Sequence, residues 1–328
     1  MRTVELSGVG IEAVYACVPA KSEDNLSRCT EVYGDANKAL SVVKATGIKT
    51  RRVVEDGVSS LDLCVKAAES LLNDCGIKRE EIGAVICVTF TPERSMPCNA
   101  CQAQARLGLP NDIVAFDVNL ACSGYAYGLY VAGNLSRALG CKTLLLDGDA
   151  QTQRMDKNDI ATVPVLADAG TATLMSPAFA GDTWKFSFLS DGAKGEALAL
   201  PIGGSIAMDG FAVFKFVTLN VLRFIQNFMS IIGKGAEDFD AFVPHQANIF
   251  MIQQISKKLK FDTDRLWISG DVLGNSSSAS IPVTIAFCGK KQEARDRAIL
   301  VSGFGGGLSA AVGSIVLHKE CRFGMTEI

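Results

Sequence analysis

A thiol, an imidazole and a carboxamide in this 328-residue chain each fall where an apolar run gives way to small or polar residues. In "AFDVNLACSGYAYGLYVAG" a strand-like run ends at Cys122 and a small-residue, helix-like run begins there. A cysteine at such a turn meets unsatisfied backbone N–H groups and the positive end of a helix dipole. Its pKa is expected to fall below about 8.5, which makes it a better nucleophile. Its own amide would also point at the oxygen of any acyl group it carried. The alternative reading is a small apolar residue in a buried helix, the role expected of the other cysteines.

Only two histidines are present. His245 directly follows the strand-like "DFDAFVP" and precedes the helix-like "ANIFMIQQISKKL", at the carboxyl end of a strand where ligand sites gather in α/β sheets. His318, near the end of "GSIVLHKECRF", is expected to be structural or exposed. In "DVLGNSSSASIPVTIAF", Asn275 is either a turn former or helix cap, or a donor to a substrate carbonyl. "SGFGGGLSAA" sets Gly305, Gly306 and Gly307 between two strands. Without GxGxxG or P-loop spacing, a tight turn presenting one N–H to an oxyanion suits that run better than a phosphate cradle. Cys98 and Cys101 form a CxxC, but "MPCNACQAQARLG" reads as a helix start. No second pair lies at zinc spacing and both histidines are distant, so neither a metal nor another cofactor is expected.

The elements that must position these groups alternate. "GAVICVTF", "DIVAFDV" and "KTLLLDGD" read as buried strands, and "SSLDLCVKAAESLLNDCG" and "SGYAYGLYVAGNLSRALG" as helices ending at Gly76 and Gly140. This is the βαβ grammar of an α/β protein. A repeat lies within it: "LLNDCGIKREEIGAVICVTFTP" and "FMSIIGKGAEDFDAFVPHQAN" align Gly76 with Gly233 and Ala84 with Ala241, and "AILVSGF" echoes "KTLLLDGD". Two similar α/β halves packed as a pseudo-dimer are expected, residues 1–178 with the cysteine and residues 179–328 with His245 and Asn275. The junction is placed in the loop-like "SPAFAGDT", Ser176 to Thr183.

Composition narrows the function classes. The formal net charge of −3 offers no electrostatic footprint for nucleic acid or an anionic membrane. No run of 18 or more uncharged apolar residues is seen, and the N-terminus reads as a strand rather than a signal peptide, so no membrane insertion is expected. Eleven cysteines without a framework fit a reducing cytoplasm.

Cys122, then "VPHQAN", then "GNSSSASIP", then "GFGGG", with "TGI" and a basic run from Thr46 to Arg52, form one ordered pattern. By it the chain resembles β-ketoacyl-[acyl-carrier-protein] synthase III, among the thiolase-fold condensing enzymes, essentially end to end. The resemblance implies a thiolase-like fold of two similar five-layered (αβαβα) halves, a homodimer, and a buried Cys-His-Asn site. Cys122 would be acylated by an acyl thioester, and His245 and Asn275 would bind the carbonyl of a malonyl thioester on acyl carrier protein. Decarboxylation would leave an enolate on those two donors. The later oxyanion would rest on the amides of Cys122 and Gly306, and removing one such donor typically costs roughly 3–4 kcal/mol.

The resemblance also marks Lys215, Lys257 and Lys258 as carrier-docking cations, and Met96 as a residue reaching the neighbouring subunit's acyl pocket. It breaks where the family clamps coenzyme A. Ser41 and Ala45 stand where a Trp and an Arg are usual, Ile160 falls on the opposite wall, and Phe250 replaces an Arg after "HQAN". Losing a stacking platform and two cations weakens coenzyme A binding. Two other readings stay open: acyl transfer to an O or N nucleophile without decarboxylation, and a partner subunit of a condensing heterodimer.

Overall fold

The structure is a computed structural model that describes residues 1–179 and 182–328. The loop expected at Ser176 to Thr183 therefore falls partly outside the described residues, at 180 and 181. The first half runs β1 (Thr3–Leu6), β2 (Gly10–Val18), β3 (Ser22–Asp24), α1 (Asn25–Tyr33), α2 (Ala36–Thr46), β4 (Thr50–Arg52), α3 (Ser60–Cys75), β5 (Ile82–Val88), α4 (Asn99–Arg106), β6 (Val114–Val118), α5 (Gly124–Leu139), β7 (Lys142–Asp149) and β8 (Ala169–Ser176). The second runs β9 (Trp184–Ser190), β10 (Leu198–Ala199), β11 (Ala207–Met208), α6 (Gly210–Lys215), α7 (Leu222–Ile232), β12 (Ala241–Pro244), α8 (Ile249–Lys258), α9 (Gly270–Leu273), α10 (Ser280–Gly289), β13 (Arg297–Gly305), β14 (Ser309–Leu317) and β15 (Arg322–Glu327).

Two sheets carry the fold, in the orders β15-β2-β8-β7-β5-β6 and β1-β9-β14-β13-β12. The internal repeat is visible in their registers. β5 runs parallel to β7 with Ala84 opposite Thr143, and β12 runs parallel to β13 with Ala241 opposite Ile299. β7 and β13 then each pair with an antiparallel neighbour, β8 and β14. Gly76 and Gly233 both end their helices in the left-handed region, at φ 67° and 68°. The division at 178/179 is crossed at both ends: β1 joins the second sheet beside β9, and β15 joins the first beside β2.

The layers follow from where apolar side chains face. α3 starts on a capping box, with Asp62 N–H donating to Ser59 Oγ (3.2 Å) and Ser59 N–H to Asp62 Oδ2 (2.7 Å). It packs with α4 on the outer face of the six-stranded sheet, burying Leu61 and Leu71 against Val85 and Leu144. α7 and α8 bury Phe228 and Ile252 against Phe242 and Leu300 on the outer face of the other sheet. α5 and α10 lie between the sheets, each touching strands of both. α10 is buried from Ser280 to Ala286 without a break, as a helix apolar on all sides must be. The five layers are thus counted across the two halves together, which share the central pair of helices. Burying each large apolar side chain here stabilises by about 1.5–3 kcal/mol.

Candidate active site

Every strand end that the sequence marks as chemical opens on one cavity. β6 stops at Val118, and a short turn carries Cys122 to the start of α5. α5 can approach β5 only because residue 124 is glycine: a methyl group there would sit 2.4 Å from Val88 Cγ1. β12 delivers His245, whose backbone N–H donates to the Ser302 carbonyl of β13 at 2.8 Å. Asn275 follows α9, held by its backbone N–H to the Val165 carbonyl (3.1 Å) and by the Ala167 N–H to its own carbonyl (2.8 Å). Cys122, His245, Asn275 and Gly306 all line a cavity of about 530 Å³. Among the described residues, no Asp, Glu, Lys or Arg lines it.

Each polar group has an orientation that its neighbours dictate. Asn275 Oδ1 accepts from the Ser277 backbone N–H at 2.9 Å, which assigns the amide nitrogen to the cavity as a donor. His245 Nδ1 lies 2.6 Å from Ser280 Oγ, which also accepts from the Gln246 N–H at 3.3 Å. With that N–H supplied to Ser280, we assign the hydroxyl proton to Nδ1, leaving the imidazole N–H on Nε2. Burial lowers the His245 pKa to about 3, a hydrogen bond from the ring to the Ser277 backbone acting the other way. The ring is therefore neutral, and it stands edge-on to the buried Phe304 with centroids 5.4 Å apart. Two neutral donors beside a thiol can hold a developing oxyanion or enolate without protonating it.

The expectation of a depressed thiol pKa is corrected by the structure. Burial pushes Cys122 up to about 12, outweighing the lowering influence of the Ser277 hydroxyl and of its own amide, while Asp149 raises it further. The low-dielectric surroundings defeat the helix terminus. Gly306 lies on the cavity wall, with Ser309 Oγ donating to its carbonyl (2.6 Å) and lying 2.7 Å from Ser123 Oγ. These two serines tie the glycine turn to the base of α5.

Several neighbours escaped the sequence reading. A methyl group at Gly305 would sit 2.7 Å from Cys122 Cβ and 3.0 Å from Sγ, so the strand backbone lies directly against the nucleophile. Ser277 Oγ lies 3.7 Å from Cys122 Sγ, and Ser277 holds φ 54°, a left-handed conformation rare outside glycine. Only the serine run in "GNSSSAS" hinted at it.

The remaining predicted residues lie outside this cluster. Lys215 is exposed at the end of α6, and Lys257 and Lys258 are exposed at the end of α8. Met96 is 85% exposed in the connection before α4. Ser41 and Ala45 are exposed on α2, and Ile160 and Phe250 are 52% and 50% exposed. His318 faces Asp182 and Asp296 at 3.8 and 3.9 Å. Cys98 and Cys101 open α4 with their sulfurs 3.4 Å apart. Among the described residues, no group of three or more His, Cys, Asp or Glu is arranged to hold a metal ion, and no helix is long and apolar enough to cross a membrane.

Comparison with known proteins follows the same residues. Residues 116–192 match the 3-oxoacyl-[acyl-carrier-protein] synthase III family model, and residues 231–318 match the model of its C-terminal part. The β-ketoacyl-[acyl-carrier-protein] synthase III of Clostridioides difficile is 32% identical over 319 residues, covering 92% of this chain and 95% of that protein. The crystal structure of a 3-oxoacyl-(acyl-carrier protein) synthase from Burkholderia xenovorans LB400 superposes with a TM-score of 0.95 at 30% identity, covering 100% of this chain and 99% of that one. The synthase III of Thermus thermophilus gives a TM-score of 0.84 at 31% identity, over 94% of this chain and 99% of that one.

Proposed function

The chain belongs to the β-ketoacyl-[acyl-carrier-protein] synthase III family, and from that membership we propose the roles of its residues in an acyl-condensing reaction. It is a transferase with a thiolase fold. Cys122 attacks an acyl thioester; the departing thiol leaves with the proton that Cys122 gives up. A malonyl thioester on acyl carrier protein then places its carbonyl between His245 and Asn275. As carbon dioxide leaves, the electrons of the broken C–C bond pass into an enolate held by these two donors. The enolate carbon attacks the acyl-cysteine, its oxyanion rests on the Cys122 and Gly306 amides, and Cys122 departs as thiolate and is reprotonated. The product is a β-ketoacyl thioester. The observation that carries this reading is the convergence of Cys122, His245 and Asn275 on one uncharged cavity. A neutral His245 of low pKa is a poor base, which disfavours acyl transfer to a hydroxyl or amine whose proton must be removed.

The donor in the first step is a carrier-bound acyl group rather than its coenzyme A thioester. Coenzyme A would bring its nucleotide phosphates to the mouth, where Ile160 and Phe250 are exposed beside the lining residues Ala161 and Met251, and where no cation lines the cavity. Lys215, Lys257 and Lys258 present positive charge to an acidic carrier. Two copies join as a homodimer along β6, one of the two edge strands of its sheet, with Met96 reaching the partner's acyl pocket. All eleven cysteines are free thiols, in keeping with work in a reducing cytoplasm.

The test is intact mass after incubation with matched acyl-CoA and acyl-carrier donors. Wild type is expected to gain the acyl group from the carrier donor alone, Cys122→Ala to gain none, and Asn275→Ala to load but not to condense. Efficient loading from acyl-CoA would overturn the donor assignment. Loading of Cys122→Ala would overturn the role of the cysteine. An absence of loading from any donor across several chain lengths would favour a partner subunit.

A further inference from the structure

Arg297 opens β13 with a guanidinium that the fold buries and leaves largely unanswered. The residue is 8% exposed, and one of its N–H groups donates to the Arg295 carbonyl at 3.1 Å. Among the described residues no carboxylate lies within ion-pair distance of it. Asp240, which acts on it from further off, pairs with Arg295 at 2.7 Å. Arg51, by contrast, is fully buried and meets Glu23 (2.8 Å), Asn25 Oδ1 (3.2 Å) and the Leu166 carbonyl (2.5 Å). A buried cation without a partner is costly. Burial and then the Arg295 charge lower the Arg297 pKa, with Asp240 and Glu293 acting the other way.

Arg297 lines a cavity of about 220 Å³ with Lys290, Arg295, His318, Lys319 and Trp267. Among the described residues, Glu293 is the one carboxylate on its wall, against those four lysines and arginines. Trp267 is 6% exposed, and its indole N–H has no acceptor among the described residues. We propose that this cavity binds a phosphate group, either free or as the head of a phosphate monoester. Its oxygens accept from the Arg297 guanidinium and the Trp267 indole, and its charge balances those of Lys290 and Lys319.

Three observations support it. The open donors of Arg297 and Trp267 need several acceptor oxygens, and a phosphate brings more of them, and more charge, than a carboxylate. Lys319 Nζ lies 3.7 Å from Glu320 with both side chains exposed, a pairing worth little, so its charge is available to a ligand. The cavity is smaller than the roughly 300–1,000 Å³ that drug-sized ligands occupy, and beyond Arg295 the cleft runs toward Glu237, Asp240 and Asp264, which turn away a polyanion. Gly289 ends α10 beside the cavity, and a helix C-terminus attracts cations by itself. That accounts for Lys290, but not for a buried guanidinium and a buried indole that both lack acceptors. The site shares no lining residue with the cavity of Cys122. The length of β13 from Arg297 to Gly305 separates the two, roughly 26 Å at about 3.3 Å per residue.

The experiment titrates inorganic phosphate into the full chain at constant ionic strength, read by calorimetry and by melting temperature, in wild type, Arg297→Gln, Trp267→Phe and Lys290→Gln. Wild type is expected to bind saturably, one phosphate per chain, with a melting temperature that climbs with the logarithm of phosphate above Kd. Arg297→Gln should weaken binding at least about 10-fold. Trp267→Phe, which keeps a ring and loses the N–H, should weaken it about 5-fold, and Lys290→Gln about 2–5-fold. Without phosphate, Arg297→Gln should melt no lower than wild type, because it removes an uncompensated charge. If it melts lower by the same margin with and without phosphate, Arg297 is only structural and the proposal is overturned. A rise that never saturates and is shared by every form would be a general salt effect and would overturn it too. Should Arg297→Gln fail to fold, Lys290→Gln carries the comparison at an exposed side chain, and wild-type affinity there counts against the site. A second titration uses glycerol 3-phosphate. Affinity at least equal to that of inorganic phosphate assigns the cavity to a phosphate monoester, and its absence assigns it to the free ion; both keep the site.

Discussion

Replacing Gly305 by alanine is the sharpest steric test of the site. The added methyl group would lie 2.7 Å from Cys122 Cβ and 3.0 Å from Sγ. Carbon atoms in ordinary contact sit about 3.5–4.0 Å apart, so strand and nucleophile must separate by about 0.8 Å. A displacement near 1 Å at a reacting group costs on the order of 100-fold in rate, and forcing one extra carbon into a packed interior costs about 1–3 kcal/mol. Gly305→Ala is therefore expected to fold, to melt several degrees lower, and to load acyl groups on Cys122 about 100-fold more slowly. Gly306→Ala is the matched control, because a methyl group there meets nothing nearer than 3.8 Å, at Ala121 Cβ and the Leu198 carbonyl. Its N–H is retained, so loading should stay near wild type. Time-resolved intact mass with one acyl-carrier donor reads both variants. Wild-type loading by folded Gly305→Ala, or an equal loss in both variants, would refute the claim that the β13 backbone sets the position of the thiol.

Two further outcomes are expected. Unfolded His245 takes up a proton below about pH 6.5, while the folded ring stays neutral to about pH 3. Wild type therefore loses stability as pH falls through that window, by about 1.4 kcal/mol per pH unit from this group. Denaturant melts of wild type and His245→Gln should show the wild-type advantage rising with pH between those limits, and a constant difference would count against a buried neutral ring. At 3.4 Å the Cys98 and Cys101 sulfurs need only a small approach to reach the roughly 2.05 Å of a disulfide. A mild disulfide oxidant should remove two hydrogens from wild type reversibly, and persistence of that loss in Cys98→Ser would place the bond elsewhere.

The fold was legible because its signals are local and repeated. Apolar runs such as those of β5 and β7 declare strands buried on both faces, and Gly76 and Gly233 mark equivalent helix ends. Cys122, His245 and Asn275 were legible for a related reason, since each follows a break in an apolar run. What stayed hidden depends on through-space contact. Asp149 looks like any acid closing a strand until the Thr89–Thr91 and Ser278 donors are brought to it from positions about 60 and 130 residues away. The thiol pKa was misjudged because helix position is written in the sequence whereas burial is not. Gly305 was grouped with its neighbours because nothing along the chain distinguishes the glycine touching sulfur from the one beside it.

The exchange of terminal strands between the sheets has a consequence for biosynthesis. β2 leaves the ribosome long before its parallel neighbour β15, so Tyr15 waits for Gly324. α10, which fills the space between the sheets, also arrives late. Until then the first half exposes the apolar edge and inner face that these elements cover, a state prone to aggregation. The two halves cannot mature one after the other during translation. Nascent chains arrested before residue 320 should accordingly be captured by chaperones or proteases, even though every residue of the N-terminal half up to 178 has already been made.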